Sequence, residues 1–269
     1  MSMKKALTIA GSDTSGGAGI EADLKTFQEL GVYGMTVLTT IVTMDPKDWH
    51  HTVYPIPADV LKAQLETVMS IGVDAMKTGM LGTPELVEIA AKTITDHGLD
   101  KVVIDPVLVC KGENEVLNPD TADSLREVLV PLATVVTPNL FEASQLARVK
   151  PIQTLDEMKE AAAKIHELGC KYVLIKGGSQ LAGDKAIDLL YDGKEFKLYE
   201  SEKFATTYVH GAGCTYSSAI TAELAKGKSV PEAVEVAKEF ITAAVRHGFK
   251  LNEFVGPVRH GAYREFGKN

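Results

Sequence analysis

Short apolar runs rich in Val, Ile, Leu and Thr recur along this chain at 4–10, 33–44, 74–78, 101–104, 134–136 and 172–175, most of them followed by a helix-like stretch. Leu24, Phe27 and Leu30 set a helical period over 20–30; further helices open at Pro57, at Thr83-Pro84 and within 137–142. Strands this short and apolar, alternating with helices, are buried on both faces, which a mainly parallel sheet between two helical layers satisfies. The expected class is therefore α/β, a three-layer αβα arrangement. Toward the end the rhythm changes: strands at 186–191 and 196–200 flank the tight turn Asp192-Gly193, and helices at 214–226 and 230–249 follow. With no linker composition and no internal repeat, residues 1–269 read as one domain.

Charge and cysteine content exclude several function classes. With 36 acidic against 28 basic side chains the formal net charge is −8, and no Lys/Arg block stands out, which argues against nucleic acid as a partner. No apolar run approaches the roughly 18 residues of a membrane span, and no secretory leader pattern opens the chain, so no membrane partner and a cytoplasmic location are expected. Cys110, Cys170 and Cys214 are odd in number and far apart, as reduced thiols are.

In an open parallel sheet, ligands bind beyond the carboxyl ends of the strands. The Gly11–Gly19 loop, Asp105, Asn139, Glu142 and Lys176 all fall at such ends. Asp105 and Glu142 are hard oxygen ligands of the kind that hold magnesium together with substrate phosphates. Lys176 precedes Gly177 and Gly178, so its ammonium can reach a phosphate that the glycine backbone lets come close. No G-x-x-x-x-G-K-[ST] occurs. Gly17-x-Gly19-x-x-Ala22 matches a dinucleotide fingerprint only loosely, after too long a loop and without the expected acid at the end of a second strand.

The anion-binding signal lies instead at His210-Gly211-Ala212-Gly213-Cys214-Thr215. Small residues let the backbone curl around an anion, and a helix beginning at Cys214 presents free N–H groups and about half a positive charge. Such an end favours a thiolate, lowering a cysteine from about 8.5 into a range of about 3.5 to 7.5. Gly211, Ala212 and Gly213 form the expected anion hole, with Cys214 as a base beside it. Together these parts make a phosphoryl-transfer site in which positioning and charge neutralisation do the catalysis.

Six ordered segments, AGSDTSGGAGIEADLKTF (10–27), TGMLG (78–82), DPVLVCKG (105–112), TPNLFEA (137–143), IKGG (175–178) and HGAGCT (210–215), resemble the ribokinase superfamily. Within it the chain is similar to the hydroxymethylpyrimidine kinase branch, and most of all to that branch's cysteine-type pyridoxal kinases. The resemblance implies a ribokinase-like fold and ATP-dependent phosphorylation of the 5′-hydroxymethyl group of pyridoxal, pyridoxine or pyridoxamine. Alternatives are a hydroxymethylpyrimidine or phosphomethylpyrimidine kinase of thiamin biosynthesis and, from another class, a non-catalytic vitamin-binding protein.

By the same resemblance Asn139, Lys176, Gly177, Gly178, Ser179, Gln180, Asp188 and Gly213 surround ATP, while Asp105 and Glu142 hold Mg2+. The ring of the B6 vitamer or hydroxymethylpyrimidine lies among Gly11, Asp23, Met44, Met80 and Val107, with His51 touching it from a flap. Cys214 stands where most of the superfamily carries a catalytic aspartate. Cys110, on a flap at 106–118, closes over the substrate and assists; a thiol there can also add reversibly to an aldehyde. A homodimer is implied as well. At position 44 pyrimidine kinases usually carry Gln or Glu; Met44 is a weak acceptor and no donor, which favours a B6 vitamer.

Overall fold

A computed structural model describes residues 2–108 and 119–267. The sequence-predicted flap at 106–118, with Cys110, therefore falls largely outside the described residues. Among the described residues nine strands form one sheet in the order β3-β2-β1-β4-β5-β6-β7-β8-β9. They are β1 (Lys5–Asp13), β2 (Tyr33–Met44), β3 (His51–Pro55), β4 (Ala75–Thr78), β5 (Val102–Ile104), β6 (Val135–Val136), β7 (Tyr172–Gly178), β8 (Lys185–Tyr191) and β9 (Phe196–Glu202). The pairs from β2 across to β7 are parallel; β3 on one flank and β8 and β9 on the other are antiparallel.

Alternate residues of the same strand feed two separate cores, as the two-residue period of a strand requires. Leu7 and Ile9 of β1, Val102 and Ile104 of β5, and Val173 and Ile175 of β7 pack in one core; Ala6, Val103 and Leu174 point into the other. The first core is closed by α2 (Ala58–Ile71), α3 (Pro84–Asp96), α5 (Leu140–Ala147) and α6 (Leu155–His166), following the short α4 (Pro119–Ser124) and a π-helical turn at Leu125–Leu129. The second is closed by α1 (Gly19–Glu29), α7 (Ala212–Ala225) and α8 (Val230–Arg246), with α9 (Ala262–Phe266) against α8. This is the expected three-layer αβα fold.

Helix α7 is buried on every side from Thr215 to Ala225, because it lies under α1 and α8 and over β4 and β5. Its Ala, Ser and Thr content suits so crowded a position: the hydroxyls of Ser217, Ser218 and Thr221 return their hydrogen bonds to the helix or to buried carboxylates. The sole tryptophan, Trp49, stacks on Phe254 with ring centroids 5.7 Å apart, joining the β2–β3 turn to the segment after α8.

Some boundaries differ from those the sequence predicts. β1 continues through Gly11 to Asp13, since Ser12 and Asp13 pair with Ile41 and Val42 after a bulge. Helix α7 starts at Ala212, two residues early, because Gly211 supplies the left-handed cap (φ 77°). Helix α8 stops at Arg246 and α1 begins at Gly19. No described helix is long and apolar enough to cross a membrane.

Candidate active site

A cavity of about 700 Å³ runs along the carboxyl ends of the strands. At its floor Asp105, just past β5, is buried, and every bond it makes comes from a different element. Its Oδ1 accepts from Lys176 Nζ (2.8 Å) and Thr137 Oγ1 (3.1 Å), and its Oδ2 from Ser217 Oγ of α7 (3.1 Å). Burial alone would raise this carboxyl, but the ammonium groups of Lys176 and Lys77 hold it below the usual carboxylate range. Lys176 ends a run of buried strand residues and is itself raised, its burial outweighed by Asp105 and Glu142. A Cβ added to Gly213 would lie 3.4 Å from Lys176 Nζ, so the lysine sits directly over the helix α7 entrance.

Asn139 and Glu142 close the start of α5 with reciprocal bonds of 2.8 Å, a capping box. The Glu142 carboxyl is pushed up to about 7 by burial, with Asp105 adding to the rise and Lys176 opposing it. The arrangement keeps a second carboxyl beside Asp105 at the cavity wall. Among the described residues no cluster of three His, Cys, Asp or Glu ligands occurs.

At the anion turn, the N–H groups of Gly213 and Cys214 belong to the first turn of α7 and have no partner within the helix. Thr215 N makes its first closing bond, to Gly211 O (2.9 Å). A Cβ on Gly211 would stand 1.7 Å from Gly17 O, so the turn fits against the β1–α1 loop only as glycine. Cys214 lines the cavity, and the Gly19 N–H is directed at its sulfur. The expected lowering of this thiol is not found. Burial pushes it up to about 11; Lys77 acts against that, but Asp23 and Asp105 act with it, and one helix end does not outweigh them.

The cavity brings together Gly11, Met44, His51, Met80, Val107, Asp105, Asn139, Glu142, the 176–180 turn with Ser179 and Gln180, Asp188, and Gly211 to Cys214. His51 reaches it as the first residue of β3. The Asp188 carboxylate is already engaged, by Lys238 Nζ (2.7 Å) and Gly178 N (3.3 Å). Asp23 is a correction: it faces the core from α1, wholly enclosed, and accepts from Lys77 Nζ (2.9 Å), Thr8 Oγ1 (2.6 Å) and Ser218 Oγ (2.6 Å). A carboxylate satisfied by three protein donors below the floor has no access to a ligand.

Several residues here were not singled out by their sequence. Lys77 is a charge inside an apolar strand, Ala75-Met76-Lys77-Thr78, and that oddity was the available signal. Ser217, Ser218 and Lys238 carry no such mark. Asp13 and His210, whose Oδ2 and Nε2 are 2.6 Å apart, both lie in quoted motifs without a role.

The sequence profile of the family described as Phosphomethylpyrimidine kinase matches residues 13–259. The pyridoxine kinase of Bacillus subtilis (strain 168) is 62% identical over 266 residues, covering 98% of each chain. A hydroxymethylpyrimidine/phosphomethylpyrimidine kinase from the same organism is 40% identical over 265 residues, covering 98% of this chain and 97% of its own. Among solved structures, the pyridoxal kinase from Staphylococcus aureus in complex with AMP-PCP and pyridoxal superimposes with a TM-score of 0.94 at 51% identity, covering 99% of this chain and 96% of that one.

Proposed function

The chain belongs to the phosphomethylpyrimidine kinase family, and on that premise we propose that it is a single-domain, ATP-dependent vitamin B6 kinase with its reacting groups at the cavity floor. It transfers the terminal phosphoryl group of ATP to the 5′-hydroxymethyl group of pyridoxal, pyridoxine or pyridoxamine. Relatives at 51–62% identity are named pyridoxine kinase or pyridoxal kinase, and one is complexed with pyridoxal and AMP-PCP. The observation that carries the site assignment is Lys176, bonded to Asp105 and standing over Gly213 of the anion turn, with Cys214 one residue further on.

In this reading the N–H groups of Gly213 and Cys214 and the Lys176 ammonium receive the transferring phosphoryl oxygens, where charge accumulates in the transition state. Asn139, the 176–180 turn and the wall at Asp188 hold the nucleotide. Gly11, Met44, His51, Met80 and Val107 hold the ring. The acceptor hydroxyl gives its proton to the sulfur of Cys214 as its oxygen bonds to the terminal phosphorus, and the bond from that phosphorus to the bridging oxygen breaks to release ADP. The sulfur must first lose its own proton, and Lys77 and the Gly19 N–H are the groups that favour its anion.

Glu142 fits a magnesium ion in chemistry: a buried carboxyl raised to about 7 beside Asp105 gains from a nearby cation. Glu142 and Asp105 would hold the ion together with phosphate oxygens, and magnesium would supply charge neutralisation. Ile41 of β2 and Val53 and Tyr54 of β3 are exposed along one sheet edge, which supports a homodimer as part of the proposal.

The test is a competition assay with ATP and magnesium in which pyridoxal, pyridoxine and hydroxymethylpyrimidine are offered together. A higher specificity constant for the B6 vitamers is expected; preference for the pyrimidine would transfer the enzyme to thiamin synthesis.

A further inference from the structure

We propose that Asp13 and His210 form a latch that fixes the anion turn against the β1–α1 loop, and that both are positioning residues for phosphoryl transfer. The proposal rests on the kinase reading above. Asp13, the last residue of β1, organises its own loop: Oδ1 accepts from Ser15 N (2.8 Å) and Oδ2 from Ala18 N (2.8 Å) and Ser15 Oγ (3.0 Å). Glu21 of α1 secures the other side, accepting from Ser12 Oγ (2.6 Å) and Asp13 N (2.9 Å). The loop between Gly11 and Gly19 is thus one rigid unit.

His210 is equally fixed on its own side. Its N donates to Gly256 O (3.1 Å) and its O accepts from Val258 N (3.1 Å), binding it to the C-terminal segment. Its ring lies against Gly17, where an added Cβ would stand 2.5 Å from Cδ2. Across this contact Nε2 lies 2.6 Å from Asp13 Oδ2. Although burial alone would raise the Asp13 carboxyl, the bonds from His210 and Ser15 hold it well below the usual range; it is therefore an acceptor and Nε2 the donor. Such a charge-assisted bond is short and directional.

The bond joins the two halves of the reacting site. On the loop side are Gly11, at the ring pocket, and Gly19, whose N–H is directed at the Cys214 sulfur; on the other side Gly211, next to His210, begins the anion turn. The helices behind them, α1 and α7, are held separately by Ser218 and Asp23 and by their apolar packing. Losing the latch therefore loosens the register between acceptor and phosphoryl sites while leaving the fold in place.

The experiment compares Asp13→Asn, His210→Phe, their combination, and His210→Gln, which keeps an N–H donor. D13N and H210F are each expected to lower kcat about tenfold to a hundredfold, with the KM for ATP within about threefold of wild type. The double variant falls no further than the worse single one, and H210Q recovers most of the rate. An unchanged kcat in H210F, additive losses, or a change confined to KM would overturn the latch. Nitrogen-edited proton NMR reads the bond without turnover: a slowly exchanging His210 Nε2 proton in wild type, lost in D13N. Its absence from wild type refutes the latch; its presence in an enzyme that phosphorylates no vitamer refutes only the kinase reading.

Discussion

Lys77 Nζ lies 2.9 Å from Asp23 Oδ1, and neither side chain reaches solvent. Thr8 and Ser218 complete the shell of the carboxylate. Removing the cation leaves a buried anion without its counter-charge, so Lys77→Met is expected to lose about 3–5 kcal/mol of stability. Adding Asp23→Asn to it should return part of that loss. Urea unfolding of the single and double variants measures both.

In the proposed mechanism Cys214 is the base, and burial pushes its thiol up to about 11. Alkylation of the Cys214 peptide by iodoacetamide, followed by mass spectrometry, should keep accelerating with pH through that value instead of levelling near the ordinary thiol range. Cys214→Ala should lower kcat by roughly 10²–10⁴ while the protein still binds nucleotide. Steady-state kinetics with pyridoxine and binding of ADP separate the two effects.

Glu142 makes stability pH-dependent in a definite direction. Its carboxyl, ordinarily at 4.5, stands at about 7 in the folded protein, so between those values the folded state keeps a proton that the unfolded chain releases. The contribution is complete below 4.5 and is lost as pH rises through about 7. Glu142→Gln should flatten that part of a melting-temperature profile measured from pH 4.5 to 8.

Met44, at the end of β2, presents only a thioether to the cavity. Met44→Gln supplies a donor and an acceptor, and is expected to move the ratio of specificity constants toward hydroxymethylpyrimidine by about fivefold to tenfold, the worth of one hydrogen bond. The competition assay reads this ratio directly.

Much of the architecture was legible because strand faces and helix faces announce themselves locally. Leu7 and Ile9 alternate with Ala6 and Thr8, and the Gly, Asp and Lys residues that end the strands mark the side on which a site forms. Helix α6 is marked in the sequence by Thr154 and Glu157, which spell a capping box at its start. The family resemblance places Asp23 beside the substrate ring, yet it shares the inward face of α1 with Thr26 and Phe27. The ionisation of Cys214 was illegible for a different reason: it sums burial with charges from Lys77, Asp23 and Asp105, and no local pattern encodes that sum.

The bonds that build the site span long stretches of chain: 197 residues from Asp13 to His210, 195 from Asp23 to Ser218 and 112 from Asp105 to Ser217. During synthesis the early strands must therefore wait for α7 before their polar ends are satisfied, an interval in which unpaired strand edges invite aggregation. A fragment ending before Ser217 lacks the Ser217 and Ser218 hydroxyls that Asp105 and Asp23 accept from, so it leaves both buried carboxylates a donor short.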